Sequence, residues 1–249
     1  MINRTDRDGV AILQLNHGKA SALDIELCEE LQRQFATIVA SDIRAVVLTG
    51  TGNIFSAGVD LIRLTSAGDS YIRNFFHAMT SMFTDLFLLP RPLVAAVNGH
   101  AIAGGCIFTA AADLRFMAAG KIGVPELLVG VPFPALALEI LRFAFPPEQI
   151  EEMIYTGRTV SPLEALERGL IDEVVDPDAL LERAVDAARK LGDIPRDAFR
   201  LTKKQLRAPY VAAARALAGA DAEALELWSS TSTHDHIRGY LDRTIGKKS

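Results

Sequence analysis

The sequence has few of the residues that build covalently cross-linked or metal-stabilised proteins: two cysteines, five histidines and one tryptophan in 249 residues. Cys28 and Cys106 lie far apart and match no metal-ligand spacing, so we expect neither a disulfide framework nor a thiolate metal site. His234 and His236 are two residues apart, which places them on different faces of a helix. The sequence therefore implies no bound metal and no nucleotide redox cofactor.

Long runs of one residue type are also missing. No block of like charge occurs, and the net charge of −5 disfavours non-specific binding to nucleic acid. Residues 1–8 are polar, and no apolar signal segment follows them. The most apolar stretch, 93–112, is interrupted by Asn98-Gly99-His100, so it predicts a buried strand, turn and helix rather than a membrane span. We expect a soluble cytoplasmic protein without membrane or nucleic-acid partners.

Apolar residues are abundant, at 49%, and their spacing predicts an α/β protein. The predicted strands cover 10–15, 45–48, 93–97, 114–117, 121–124 and 171–175. The predicted helices cover 25–39, 71–89, a segment ending near 112, 132–143, 148–155, 162–168, 180–191, 198–206 and 210–243. Because strands stop near 175, we expect a core over 1–195 and a helical region over 196–249. The apolar face of that region has to pack against the core or another subunit.

Two glycine-rich turns are candidates for a binding site. Ser56-Ala57-Gly58-Val59-Asp60 follows one apolar segment, and Ile102-Ala103-Gly104-Gly105-Cys106 lies between a strand and an apolar helix. Small residues let the backbone approach a ligand, and backbone N–H groups are exposed where a helix begins. Two such turns can aim donors at one oxygen. Taken alone, the same pattern also fits two tight connections without any function.

Three segments together resemble the signature segments of the crotonase superfamily of enoyl-CoA hydratases and isomerases. They are FSAGVDL at 55–61, NGHAIAGGC at 98–106 and GVPELLVG at 123–130, in the family's order and separation. The resemblance continues through 155–172 and 201–204 and covers nearly the whole chain. It implies a spiral of strand-strand-helix repeats with a C-terminal helical region, assembled into trimers or hexamers. It also implies an acyl-CoA thioester as substrate, with coenzyme A part of that substrate and no separate cofactor.

The resemblance also implies roles for individual residues. The backbone N–H groups of Val59 and Gly104 would hold the thioester oxygen, beside Ala57, and Glu126 would be the catalytic acid and base. Proton removal next to a thioester places charge on its oxygen, and fixed donors stabilise that enolate more than the starting carbonyl. One such donor contributes about 3 kcal/mol.

The residue three positions after the oxyanion glycine separates the branches of the family. Hydratases carry a second glutamate there, and this chain has Ile107. A single carboxylate is enough to move a proton from C2 to C4 of a 3-enoyl-CoA, and Ile107 would keep competing water away. The pattern resembles Δ3,Δ2-enoyl-CoA isomerases, as do residues 21–26 and Pro132-Phe133-Pro134. Pro125, in contrast, resembles hydratases.

Two alternatives therefore stay open at this point. One is a hydratase, or another crotonase reaction, that uses a replacement acid; Asp69 and Glu139 are the candidates. We expect Asp69 in a surface loop and Glu139 on a solvent-facing helix surface. The other alternative is a non-catalytic acyl-CoA binder, against which the retained Glu126 argues.

The local context of several other residues predicts their roles. The phosphates of coenzyme A need cations, and the candidates are Lys19, Arg63, Lys203 and Lys247. We expect structural roles for Asp113, for a buried, hydrogen-bonded His100 and for Cys106 in the core. A stripe on the helix over 71–89 either lines the acyl tunnel or is plain core; it consists of Phe75, Phe76, Met79, Met82 and Phe83.

Overall fold

The computed structural model describes residues 1–244, and it confirms the α/β class with a C-terminal helical region. Its strands are β1 Ile2–Arg7, β2 Val10–Leu15, β3 Ala45–Thr49, β4 Ile54–Ser56, β5 Leu93–Val97, β6 His100–Ile102, β7 Leu114–Met117, β8 Ile122–Gly123 and β9 Glu173–Val174. Its helices are α1 Ile25–Val39, α2 Leu61–Ser66, α3 Asp69–Phe87, α4 Gly104–Ala110, α5 Glu126–Val129, α6 Ala135–Ala144, α7 Pro147–Thr156, α8 Pro162–Glu167, α9 Leu180–Gly192, α10 Arg196–Ala216, α11 Ala218–Trp228 and α12 Thr231–Thr244.

Six strands form the main sheet, in the order β1-β2-β3-β5-β7-β9. The β1–β2 pair is antiparallel, with Ile2 opposite Leu15, and every other pair is parallel. The inner strands β3 and β5 are buried along their whole length, which is typical of a parallel sheet covered on both faces. The unbroken apolar runs in the sequence follow from that double burial.

A second, smaller parallel sheet contains β4, β6 and β8, in that order. The chain runs through three consecutive strand-strand-helix repeats: β3-β4-α2, β5-β6-α4 and β7-β8-α5. The first strand of each repeat joins the main sheet and the second joins the small sheet, which confirms the expected spiral. Strands β4 and β6 have three residues each and are too short for hydrophobic periodicity to reveal, whereas the two residues of β8 lie inside the strand predicted over 121–124.

The main sheet separates two apolar clusters. Along β2, Ala11, Leu13 and Leu15 belong to the large cluster, while Val10 and Ile12 point to the other side. This alternation is the two-residue period of a strand. Helix α9 covers the second side, and α1, α3 and α6 contribute to the large cluster. The large cluster surrounds the small sheet and therefore the turns that follow it.

A buried ion-pair cluster attaches the C-terminal helices to the core. Asp113 accepts from Lys203 Nζ at 2.7 Å and from Arg207 Nη2 at 2.6 Å, and it also accepts from the backbone N–H of Leu93. Asp113 therefore has the expected structural role. Lys203 was wrongly expected to bind coenzyme A phosphates: it is 5% exposed, and burial lowers its pKa to about 8. Its ammonium is already paired, so it stabilises the fold instead.

The long helical segment predicted over 210–243 is interrupted twice in the structure. Helix α10 ends at Ala216, and α11 ends at Trp228, before Ser229 and Ser230. The breaks turn the chain so that α11 contacts α3 and α12 contacts α2 and α5. Helix α10 begins at Arg196, and the division of the chain into parts 1–195 and 196–249 stays a prediction.

Within residues 1–244, no helix combines the length and apolar character that crossing a bilayer requires.

Candidate active site

Three turns at one edge of the small sheet place the predicted site residues together. Val59 follows β4, Gly104 follows β6 and Glu126 follows β8. The three strands are parallel and adjacent, so their carboxyl ends meet at the same edge. Neighbouring strands lie about 4.8 Å apart, and the spiral thus brings together groups that are 67 residues apart in the chain, from position 59 to position 126.

The backbone N–H of Val59 points away from the adjacent segment of the same chain, which contains Leu23. Leu23 donates to the carbonyl of Gly58 at 2.7 Å and accepts from the N–H of Asp60 at 3.0 Å, so it bonds the residues on both sides of Val59. In such a parallel bridge the N–H of the central residue points to the opposite side. Within residues 1–244 this N–H has no hydrogen-bond acceptor, which leaves it available to a ligand.

The turn before Gly104 has a strained backbone. Ala103 has φ 54° and ψ −121°, a combination that residues with a side chain rarely adopt and that costs about 1–3 kcal/mol. Cys106 and Ile107 both donate to the carbonyl of Ala103, which begins α4. The N–H of Gly104 precedes these bonds and meets no acceptor among the described residues. The strained turn thus leaves a second free donor beside that of Val59.

Glu126 is the first residue of the short helix α5, directly after Pro125. The residue borders a cavity, but its Oε2 is fully buried and has no hydrogen-bond partner in the described chain. Burial away from water raises the pKa of its carboxyl group to about 8, and its own backbone N–H offsets only part of that effect. A carboxyl group with such a pKa is suited to exchange protons near neutral pH.

A cavity of about 130 Å³ joins these groups. Ala57, Val59, Gly104, Ile107 and Glu126 all border it. Within the described chain, the lining residues whose side chains contain nitrogen or oxygen are Thr80, Glu126, Trp228 and Tyr240. The rest of the lining is apolar, as suits a hydrocarbon chain, and Ile107 is 2% exposed.

Besides the buried Lys203, two cation candidates lie in the described chain, and they have different surroundings. Lys19 is exposed, and the next residue, Ala20, accepts from the N–H of Ala57 at 3.0 Å. Arg63 is engaged by Glu26 at 2.6 and 2.7 Å and by Asp24 at 3.2 Å. Its role toward phosphates stays a prediction, and a phosphate would have to compete with these carboxylates. Lys247 lies outside the described residues.

The two candidate replacement acids do not border the cavity. Asp69 is exposed, as expected, but it begins helix α3 rather than lying in a loop. The expectation of a solvent-facing Glu139 was wrong: it is 5% exposed and pairs with Arg142 one turn later on α6. The arginine neutralises the carboxylate, and this pairing explains how an acid is tolerated on an apolar helix.

The remaining assignments separate into core and cavity. Cys106 is buried, as expected, whereas the expectation of a buried His100 was wrong, because that residue is half-buried. On α3, Met79 and Phe83 border the cavity. Phe75 and Phe76 instead pack against Trp228, with ring centroids 6.3 and 5.4 Å apart. Both interpretations of the stripe therefore hold, for different residues.

The sequence interpretation did not place Trp228 and Tyr240 at the cavity, because residue spacing left open whether the C-terminal helices pack against the core or another subunit. The Trp228 indole donates to the carbonyl of Pro132 at 2.9 Å and is 2% exposed. His236, one turn before Tyr240, has its Nε2 atom 3.2 Å from the carbonyl oxygen of Leu128, a residue of the active-site helix α5. A lone tryptophan in a largely polar tail was the available signal for such a buried contact.

Known protein families include one that matches almost the whole chain. The family model described as enoyl-CoA hydratase/isomerase matches residues 5–246. The chain belongs to this family. As a family member, it has the crotonase fold and the family's enoyl-CoA hydratase/isomerase type of activity. Whether the family's hydratase or isomerase chemistry operates depends on the residues of the site.

Relatives of both kinds resemble this family member. A putative enoyl-CoA hydratase of Thermus thermophilus is 34% identical over 213 residues, which are 82% of this chain and 83% of that protein. The mitochondrial enoyl-CoA delta isomerase 1 of Rattus norvegicus is 28% identical over 212 residues, 83% of this chain and 73% of that protein. The crystal structure of human mitochondrial Δ3,Δ2-enoyl-CoA isomerase has a TM-score of 0.94 at 25% identity, covering 100% of this chain and 99% of the other.

Proposed function

We propose that the protein is a Δ3,Δ2-enoyl-CoA isomerase that shifts a double bond with a single carboxyl group. One observation carries the proposal: Glu126 shares its cavity with Ile107, the position at which the hydratases of the family carry a second glutamate. No other carboxyl group of residues 1–244 borders that cavity. Addition of water needs a held and polarised water molecule, whereas a double-bond shift needs only one group that takes and returns a proton.

In the proposed mechanism the thioester oxygen accepts from the N–H groups of Val59 and Gly104. The Glu126 carboxylate removes a proton from C2 of the 3-enoyl chain, and the electron pair delocalises over the dienolate to the oxygen. The two donors stabilise that charge. The same carboxyl group then returns the proton at C4, giving the 2-enoyl thioester. Ile107 keeps water away from the intermediate.

A hydratase is the second candidate. It is favoured by Pro125 and by relatives that are named hydratases. It would need a further acid, and Asp69 and Glu139 do not border the cavity. A non-catalytic acyl-CoA binder is the third. The raised pKa of Glu126 argues against it, because an unpaired buried carboxyl group destabilises the fold and selection for binding alone gives no reason to keep it.

Assembly into trimers or hexamers is part of the same proposal. An open groove of about 740 Å³ lies beside α5, and Leu127, Ile154, Tyr155 and Leu227 are among the residues that line it. Tyr155 is 68% exposed and Leu227 is 50% exposed, which is unusual for large apolar side chains that lie close together. A second copy of the chain would cover them. Sedimentation velocity of the purified protein tests this, since a monomer would contradict it.

The proposed reaction is tested by a paired assay with 3-hexenoyl-CoA and 2-hexenoyl-CoA, run beside Glu126→Gln. We expect conversion of the 3-enoyl substrate without formation of 3-hydroxyacyl-CoA. The variant should lose at least about a thousandfold in kcat, because the amide cannot carry the proton. Robust hydration of the 2-enoyl substrate would favour the hydratase. Binding of both thioesters without turnover of either would favour the binder.

A further inference from the structure

Residues 20–23 run alongside the turn that carries Val59. The N–H of Ala57 donates to the carbonyl of Ala20 at 3.0 Å, and the Ser56 hydroxyl donates to the carbonyl of Ser21 at 2.8 Å. The backbone of Leu23 adds the two bonds that flank Val59. Residues 20–23 therefore hold the backbone of this turn in place from the side opposite to the cavity.

The side chain of Leu23 reaches the other donor. A Cβ atom built on Gly104 would lie 2.4 Å from Cδ1 of Leu23, so the leucine methyl group occupies the space where a side chain of residue 104 would be. The same Cβ would lie 3.3 Å from the Cα of Gly58. Leu23, Gly58 and Gly104 are thus packed without a gap, and Leu23 is 1% exposed.

We infer that Leu23 is a positioning residue for the oxyanion hole: its backbone holds the turn of Val59, and its side chain supports Gly104 from behind. This inference rests on the proposed function of those two N–H groups. One residue then sets the distance between two donors that belong to different strand-strand-helix repeats. Donors act on the transition state only when their geometry is held to a fraction of an ångström, so loss of this support lowers catalysis before it lowers binding.

A plain core role makes a different prediction. A buried leucine truncated to alanine destabilises any core by about 2–5 kcal/mol, so a loss of stability does not separate the two roles. Leu31 on α1 is the matched control, because it is fully buried and does not border the cavity. The polarisation of a bound thioester carbonyl does separate them.

The test uses 2,4-hexadienoyl-CoA, whose absorption band shifts to longer wavelength when its carbonyl is polarised. In a Glu126→Gln background, which removes turnover, we expect a red shift on binding. Leu23→Val and Leu23→Ala should reduce that shift by half or more. Leu23→Met, which keeps an apolar group in the same space, and Leu31→Ala should retain it. In the otherwise unchanged enzyme, Leu23→Val should lower kcat about tenfold or more with KM changed less than threefold.

Leu23→Val is included because it is milder than alanine and keeps the experiment informative if Leu23→Ala fails to fold. An undiminished red shift and kcat in Leu23→Val, with stability lost as in Leu31→Ala, would overturn the inference. The absence of a red shift in the Glu126→Gln parent would overturn the oxyanion assignment and this inference with it. A normal red shift without 3-enoyl turnover in the wild type would contradict the isomerase alone, and the response to the Leu23 variants would still decide the positioning role.

Discussion

Gly58 and Gly104 lie in direct contact across two adjacent turns. A Cβ atom on Gly58 would stand 2.8 Å from the backbone nitrogen of Gly104 and 2.6 Å from the Cβ of Ala103. Gly58 also has φ +78°, in the left-handed region that favours glycine. The contact explains why both turns need glycine, since any side chain would separate the two donors.

Gly58→Ala tests this contact. We expect kcat to fall by about a hundredfold or more, the usual effect of losing one oxyanion donor, because the added methyl group pushes the Gly104 turn away. The control is Gly18→Ala, since Gly18 has a similar φ of +57° and no atom within 4 Å of the built Cβ. That variant should cost about 1 kcal/mol of stability and keep its kcat. Equal kcat values for Gly58→Ala and Gly18→Ala would show that the contact between Gly58 and Gly104 does not contribute to catalysis.

The pH dependence of the rate should follow Glu126. Burial raises the pKa of its carboxyl group to about 8, and the base has to be ionised. We therefore expect kcat/KM to rise about tenfold per pH unit below the pKa and to level off above pH 8. A plateau that already begins near pH 5 would show that Glu126 ionises normally in the free enzyme. A profile of kcat/KM against pH, recorded in buffers of constant ionic strength, measures this pKa directly.

The same pKa has a consequence for stability. In the unfolded chain the pKa of Glu126 is near 4.5, and in the folded chain it is about 8. Between these values the folded state keeps a proton that the unfolded state has lost, so the free energy of unfolding falls with pH by up to about 1.4 kcal/mol per unit. Glu126→Gln removes this effect. Urea unfolding at pH 5, 6.5 and 8 should show the variant increasingly more stable than the wild type; a constant difference would contradict the raised pKa.

Trp228 should limit the length of the acyl chain. A cavity of about 150 Å³ holds a benzene molecule, so about six carbons fill a cavity of this size. Trp228→Phe enlarges the cavity, and we expect the ratio of kcat/KM for 3-decenoyl-CoA to that for 3-hexenoyl-CoA to rise about tenfold. The control is Leu201→Ala, because Leu201 is 51% exposed and borders neither the cavity nor the groove; it should leave the ratio unchanged. An unchanged ratio in Trp228→Phe would show that the acyl chain of the substrate does not bind against Trp228.

Asp113→Asn should destabilise the fold by about 3–5 kcal/mol. It leaves the cations of Lys203 and Arg207, which are 5% and 2% exposed, without their carboxylate. Asp197→Asn is the control, because its pair with Arg200 is on the surface and the aspartate side chain is 90% exposed; it should change stability by less than about 0.5 kcal/mol. Equal midpoints in urea unfolding would show that the buried cluster contributes nothing to stability.

The elements that were predictable from the sequence are those with long regular patterns. Helix α1 has the predicted bounds Ile25–Val39, because five buried residues repeat at helical spacing and Asp24 caps it. Strand β1 was missed because polar and charged residues occupy every position after Ile2, and β4 and β6 were missed because three residues are too few to show a period.

The features of the site also fall into those that were predictable from the sequence and those that were not. Each turn that carries Val59, Gly104 or Glu126 is local in sequence, so its motif was readable, and the spiral then brought the turns to one edge. The burial of Glu139 and Lys203 depends on how the helices pack, as does the position of Trp228 and Tyr240 at the cavity. Residue spacing contains no information about those contacts, which explains why the exposure of Glu139 and the role of Lys203 were predicted wrongly.

The measurement that tests the single-carboxyl account most directly follows one hydrogen. 3-Hexenoyl-CoA deuterated at C2 is converted by excess enzyme in ordinary water, and the 2-hexenoyl-CoA formed in a single turnover is analysed for deuterium at C4. If Glu126 carries the proton in a cavity that Ile107 keeps dry, a substantial part of the deuterium will appear at C4. A product whose C4 hydrogen comes wholly from solvent, or a 3-hydroxyacyl product, would contradict the account.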